Sequence, residues 1–351
     1  MEYILLIAWF ALLIKWADYM VEWAWSIAKS YWVSNLVIGL TIIAFWTSAP
    51  ELVTGAFSAA QWKSDLAISW ILWSNISNLL LILWITAMIY PIKAPSNTFY
   101  KEIPFMLAST ILFVLLVLFE PTQTITRPDA LILIMFFGVF IYYIFRQLTR
   151  DKAENKILKE QEDVALKNKD LTKNKDWSNK NSDKENKNID NNNNIRELPK
   201  TLAIVYTLWG LVGLVIWWKL IVDSAVMIAE QFGMPNSFIW VTIIAIWTSL
   251  PELAASVAAA LKKNTDMAIW WIIWSNIFNG LWILWITWII SPLKAYDWIN
   301  FDAFFNVFVV VLVSLLLFSR TWKFMISKKE WILLTSLYIS YLGYLIYSLL
   351  P

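Results

Sequence analysis

Apolar stretches of about 20 residues recur ten times along the chain, at roughly 3–28, 36–60, 66–90, 103–119, 129–146, 201–228, 237–261, 267–290, 303–319 and 331–350. A helix of that length crosses the hydrocarbon core of a bilayer. The pattern therefore predicts an all-α polytopic membrane protein with ten transmembrane helices. The first stretch lacks the basic start of a cleaved leader and is long enough to span, so it reads as the first membrane helix. One region breaks the pattern. Residues 147–200 are rich in Lys, Asn, Asp and Glu and include four consecutive asparagines from Asn191 to Asn194. With so little apolar surface to bury, this segment is expected to be a disordered polar loop. The chain thus divides into 1–146, 147–200 and 201–351.

The two apolar parts are copies of one another. Residues 41–52 read TIIAFWTSAPEL and residues 242–253 read TIIAIWTSLPEL, with ten of twelve positions matching. WILWSNISN at 70–78 faces WIIWSNIFN at 271–279, and ILWIT at 82–86 faces ILWIT at 283–287. The offset stays at 201 from about residue 3 to residue 95. A single long duplication in a membrane protein points to a two-fold, transporter-like architecture. Five predicted spans separate equivalent points, and five is odd. The second copy would then enter the membrane upside down, making two inverted five-helix repeats with substrate between them near the midplane.

Composition supports a membrane protein and narrows its chemistry. Hydrophobic residues make up 59%, charged residues 15%, and mean hydropathy is +0.58, which excludes a soluble globular enzyme. Cys and His are both absent, so there is no thiol nucleophile, disulfide or imidazole ligand. No nucleophile–base pair or cofactor motif is evident, and nothing points to a nucleic acid or an obligate protein partner. The expected partners are inorganic cations and the lipid bilayer. With the N-terminus outside, the cytoplasmic loops hold 23 of the 28 Lys and Arg residues and the outer loops only three. That asymmetry sets the orientation and puts the central loop in the cytoplasm.

Glu51 and Glu252 are equivalent under the repeat and lie inside apolar spans. A charge at the centre of a membrane helix costs about 2.5–3.5 kcal/mol on insertion scales, and such residues usually mark an ion or proton path. Each follows a proline (Pro50, Pro251), which removes a backbone donor and leaves upstream carbonyls free. Those carbonyls belong to the stretches Ala44–Thr47 and Ala245–Thr248. Thr47, Ser48, Thr248 and Ser249 add hydroxyl oxygens. The following span of each copy brings Ser74 with Asn78, and Ser275 with Asn279, at a spacing that shares a helix face. These are hard oxygen donors, suited to Ca²⁺, Na⁺ or Mg²⁺ rather than zinc or copper. A plainer reading stands beside this one: a Pro-Glu pair also simply opens a helix, and the Ser and Asn side chains also serve as glue between helices.

The blocks T-S-A-P-E at 47–51 and T-S-L-P-E at 248–252, each followed by S-N-I-x-N, resemble the two alpha-repeats of the calcium/cation antiporter superfamily, nearest to prokaryotic sodium/calcium exchangers. The resemblance implies a multi-pass protein of the bacterial inner membrane, without a cofactor, that exchanges Ca²⁺ for Na⁺ by alternating access. A proton-coupled cation exchanger is the alternative. It further implies that Glu51 and Glu252 share Ca²⁺ and also bind Na⁺. The Thr47 and Thr248 carbonyls would join the Ca²⁺ site, and Ala44, Ala245, Ser48, Ser249, Ser74 and Ser275 would complete Na⁺ sites. Asn78 and Asn279 would line the middle, while helices one and six slide across the core. In some relatives Asp stands at the position of Asn279, so this core has two carboxylates rather than three.

A second departure is Trp where the family has Gly, including Trp46, Trp73, Trp247 and Trp274. The chain has 25 Trp and 8 Gly, whereas Gly normally runs near 7%. Under the repeat, Trp9 faces Gly210, Trp32 faces Gly233 and Gly39 faces Trp240. The expectation is that many of these tryptophans are UGA codons read as Gly in the source and written here as Trp.

Overall fold

The computed structural model describes residues 47–60, 64–96, 98–118, 124–173, 199–231, 248–294, 299–318, 325–326 and 330–349, together with isolated positions between 8 and 23. The expected site positions Ala44 and Ala245, and the tryptophans Trp46 and Trp247, lie outside the described residues.

The described chain is helical, with four two-residue strands. Helix α1 (Ala49–Ala60) is followed by α2 (Ser64–Ser77), which passes through a π-helical turn at Asn78–Ile82 into α3 (Leu83–Ile89). Strand β1 (Ile92–Lys93), a second π-helical turn (Thr98–Glu102), α4 (Ile103–Leu118), β2 (Thr124–Ile125) and α5 (Arg127–Lys173) complete the first part. Helix α6 (Lys200–Gln231) covers the span expected at 201–228. Then α7 (Leu250–Leu261), α8 (Thr265–Phe278), a π-helical turn at Asn279–Ile283, α9 (Leu284–Ile290), β3 (Leu293–Lys294), α10 (Ile299–Phe318), β4 (Met325–Ile326) and α11 (Trp331–Leu349) retrace the same order.

Helix α5 runs on past its apolar part to Lys173, so helix extends into the segment whose composition suggested disorder. The sequence there is rich in Lys, Glu, Gln, Leu and Ala, all good helix formers. Low apolar content argues against a packed core but not against a helix.

Five helical runs among the described residues are long and apolar enough to cross a membrane: Ala67–Ile89, Thr98–Leu118, Arg127–Gln147, Thr265–Ile290 and Ile299–Phe318. They fall into two classes. About three quarters of the residues of Ala67–Ile89 and Thr265–Ile290 are buried (78% and 72%), against 28% for Arg127–Gln147. A helix apolar all round and buried all round is a core helix; a helix apolar and exposed faces lipid.

Packing follows the duplication. Helix α1 packs on α2 and α7 on α8, while across the two halves α1 meets α9, α7 meets α3, α10 meets α2 and α8 meets α4. Gly55 makes the α1–α9 approach possible, since a Cβ there would sit 3.1 Å from Thr287 Oγ1. The strands pair antiparallel across the halves, Ile92 opposite Ile326 and Thr124 opposite Lys294. An offset of 201 turns one of these pairings into the other. Each strand pair is a short clip between loops, so the protein remains an all-α membrane protein.

Candidate cation site

The prolines of both motifs stand in the first turn of a helix. Ser48 and Ser249 form a turn between the helical residue before them and the helices α1 and α7 after them. Pro251 occupies the first turn of α7, and Glu51 and Glu252 are the acidic residues of their first turns. The backbone amides of Leu52 and Leu253 donate to the Ser48 and Ser249 carbonyls at 3.1 and 3.0 Å. The plainer reading of the Pro-Glu pair is therefore locally correct: it opens a helix. What sets it apart is that this opening is buried, with Glu51 4% and Glu252 0% exposed.

Helices α2 and α8 bring the serines to the carboxylates. Ser74 Oγ donates to Glu51 Oε1 at 3.0 Å, and Ser275 Oγ donates to Glu252 Oε1 at 3.4 Å. The two halves then interlock. Ser48 Oγ from the first half donates to Glu252 Oε1 of the second at 3.1 Å, and Thr47 adds a side-chain hydrogen bond to the same carboxylate. Ser48 and Ser275 hydroxyls lie 3.0 Å apart and Ser74 and Ser249 hydroxyls 3.2 Å apart. The two carboxylates are close enough to repel one another.

The π-helical turns begin at Asn78 and Asn279. A π turn inserted in an α-helix often marks a functional position, and here it aims each amide across the dyad. Asn78 Nδ2 donates to Ser275 Oγ and to Asn276 Oδ1, both at 3.1 Å. Asn279 Nδ2 donates to Ser74 Oγ at 3.3 Å and to Asn75 Oδ1 at 3.1 Å. Asn75 and Asn276 exchange bonds with each other's backbone carbonyls at 3.3 Å.

Within this cluster four buried oxygens are left without a hydrogen-bond partner: Glu51 Oε2, Glu252 Oε2, Asn78 Oδ1 and Asn279 Oδ1. Leaving such acceptors empty costs about 1–3 kcal/mol each, more for a charged group. Four of them on four symmetry-related side chains are an invitation to a cation. Among the described residues no three Asp, Glu, His or Cys side chains gather, so the hydroxyls and amides must supply the rest of any coordination shell.

The structure thus brings together Thr47, Ser48, Glu51, Ser74, Asn78, Thr248, Ser249, Glu252, Ser275 and Asn279, all of them buried. Sequence reasoning missed Asn75 and Asn276, although both sit in the duplicated W-S-N block. It also missed a second pair of buried acids. Glu102 and Asp302 are fully buried, Glu102 accepting from the Tyr143 hydroxyl of α5 and Asp302 from the Tyr341 hydroxyl of α11 at 3.0 Å. Their separation is 200 rather than 201, and the repeat was followed only to residue 95.

Residues 1–146 and 202–347 match the family model described as sodium/calcium exchanger protein. The chain belongs to the sodium/calcium exchanger family. It is a multi-pass membrane antiporter of cations rather than an enzyme. Among its relatives are the putative antiporter CaxA of Alkalimonas amylolytica, 35% identical over 76% of this chain and 74% of that one. The sodium/calcium exchanger MaX1 of Methanosarcina acetivorans is 30% identical over 92% of both chains. A solved structure of the sodium-calcium exchanger NCX_Mj, soaked with 2.5 mM Na⁺ and 0.1 mM Ca²⁺, has a TM-score of 0.73 at 25% identity and covers 97% of each chain. The exchanger likeness therefore extends through both halves, while the family match leaves out the polar segment between them.

Proposed function

We propose that this antiporter moves Ca²⁺ against Na⁺ through one central site that is opened to either side in turn. The observation that carries the reading is the set of four unpartnered buried oxygens on Glu51, Glu252, Asn78 and Asn279. Calcium takes six to eight oxygen ligands in flexible geometry. Two carboxylates balance its charge, and the Thr47 and Thr248 carbonyls with the Asn oxygens fill the shell. Ala44, Ala245 and the serines Ser48, Ser74, Ser249 and Ser275 serve Na⁺. Each serine now donates to a carboxylate or lies against another serine; rotating its hydroxyl turns a lone pair toward a monovalent ion instead. Because the two ions use the same carboxylates, one excludes the other, and a Na⁺ gradient drives Ca²⁺ the opposite way.

The architecture we infer is ten helices in two inverted halves, 1–146 and 201–351, joined by the polar cytoplasmic segment 147–200, with the N-terminus outside the inner membrane. The strand pairs support this order of spans. Under it β1 and β4 both fall in the cytoplasm and β2 and β3 both outside, so every observed pairing joins loops of one membrane face.

Flux in proteoliposomes tests the coupling. An outward-to-inward Na⁺ gradient is expected to drive Ca²⁺ in the opposite direction. Calcium movement driven by a pH gradient but not by Na⁺ would establish the proton-coupled alternative, since the same two acids would release Ca²⁺ on protonation.

A further inference from the structure

We propose that the natural protein carries glycine at most of its 25 tryptophan positions, among them 9, 16, 62, 73, 217, 270, 274 and 282, and that its gene is read in a lineage where UGA encodes glycine. Trp and Gly together fill 33 positions, 25 and 8 respectively. That sum is about 9% of the chain, close to the ordinary share of glycine alone.

Four features point the same way. The first is unsatisfied polarity. Trp217, Trp270, Trp274 and Trp282 each hold a buried indole N–H with no acceptor. Buried indoles in native proteins usually find a partner for that group, and each failure costs about 1–3 kcal/mol. Glycine at these sites removes the orphan donor altogether.

The second is the loss of symmetry. Trp73 and Trp274 are equivalent, each standing directly before a serine that binds a site glutamate. Trp73 Nε1 donates to Asp302 Oδ2 at 2.9 Å, while Trp274 Nε1 has no acceptor. The Ser–Glu and Asn–Ser bonds Ser74–Glu51, Ser275–Glu252, Asn78–Ser275 and Asn279–Ser74 are mirrored between the halves; the indoles are not. Small residues are what close helix crossings in membranes require.

Backbone conformation supplies the third. Helix α7 ends in a Schellman motif, with Asn264 N–H on the Ala259 carbonyl and Lys263 N–H on the Ala260 carbonyl, both at 2.9 Å. Lys263 adopts φ +58°. That left-handed position after a helix is where glycine is strongly favoured. Its counterpart at the offset of 201 is Trp62, outside the described residues; the repeat assigns that position the same helix cap, where a bulky residue is costly.

The fourth concerns the first and sixth spans. Trp9 stacks on Trp217 with ring centroids 5.2 Å apart, and the Trp16 ring lies 2.8 Å from where a Cβ on Gly213 would be. Glycine at 217 would complete a Gly-x-x-x-Gly stripe with Gly213, facing glycines at 9 and 16. Such a stripe brings helix backbones into close, smooth contact. Under the proposed mechanism these are the helices that slide, and interleaved indoles would obstruct them.

Peptide mass spectrometry of the protein isolated from its source organism decides the matter without requiring any variant to fold. Peptides spanning 70–78 and 271–279 are expected to carry glycine at 73 and 274; tryptophan at both would overturn the proposal and leave the exchange mechanism untouched. In proteoliposomes, the chain bearing W9G, W16G, W73G, W217G and W274G is expected to exchange Ca²⁺ at least tenfold faster than the tryptophan chain. Slower exchange by the glycine chain would count against it.

Discussion

Two pairs of buried carboxylates lie in this membrane protein, and they are held in different ways. The side-chain donors to Glu51 and Glu252 are small hydroxyls, Ser74 for the first and Thr47, Ser48 and Ser275 for the second. Glu102 and Asp302 sit at the starts of their apolar spans and accept from tyrosines of the last helix in each half. A serine hydroxyl rotates at little cost and can give up its carboxylate to a cation. A tyrosine fixed by its packed ring cannot move so freely. Burial of an acid therefore does not by itself mark a transport site. Small hydroxyl donors that can be exchanged mark it, for Glu102 also keeps an open oxygen and Asp302 also accepts across the halves from Trp73 Nε1.

The sharpest way to break that contrast is to neutralise one acid of each pair. Removing a carboxylate that would contact a desolvated cation costs about 2–5 kcal/mol of binding. Glu51→Gln or Glu252→Gln is thus expected to lower Ca²⁺ exchange in proteoliposomes by two orders of magnitude or more, at about 1.4 kcal/mol per tenfold. Glu102→Gln should leave most of the exchange intact. Equal loss from both would erase the distinction between the pairs.

Adding a charge sharpens the same contrast from the other direction. Asn279→Asp places a third carboxylate beside the two glutamates. The Ca²⁺ concentration at half-maximal exchange is expected to fall about tenfold, a gain of roughly 1.4 kcal/mol and in keeping with a charge-assisted contact replacing a neutral one. Unchanged Ca²⁺ dependence would mean that Asn279 Oδ1 does not face the ion.

The tyrosine ties should affect stability more than transport. Tyr341→Phe removes one hydroxyl donor from a fully buried carboxylate, at a cost of about 0.5–1.5 kcal/mol or more. A lower melting temperature in detergent with exchange near normal is expected. A wild-type melting temperature combined with lost exchange would give Asp302 a transport role. The smallest effect is expected far from either pair. Deleting 155–195 removes polar sequence that lies between the two parts matched by the family, and exchange should survive it. If that deletion abolished exchange while Glu51→Gln did not, the segment would be a docking element and the central carboxylates would be structural.

Much of the site was legible because it is duplicated. Glu51 and Glu252 stood out as charges in apolar sequence, and Ser74, Asn78, Ser275 and Asn279 followed from their spacing on a helix. Asn75 and Asn276 did not stand out, since an amide next to a serine has no one-dimensional signal for the cross-half contact it makes. Glu102 and Asp302 lie near span ends, where an acid ordinarily meets water, and only the packing of α5 and α11 shows them buried. The polar segment shows the converse limit. Its charge pattern speaks about burial, and the helix through Lys173 depends on backbone propensity.

Apolar run length, the repeat and the paired Pro-Glu motifs were enough to determine a membrane-embedded, duplicated cation carrier, because bilayer thickness and the cost of a buried charge act directly on sequence. Which hydroxyl faces which carboxylate was decided only in three dimensions. Ser48 reaches Glu252, 204 residues away, because α1 and α7 pack against the opposite half. No local rule relates residues that far apart. The π-helical turns at Asn78 and Asn279 belong to the same class: they take their meaning from the partner helix across the dyad, where each amide finds its acceptor.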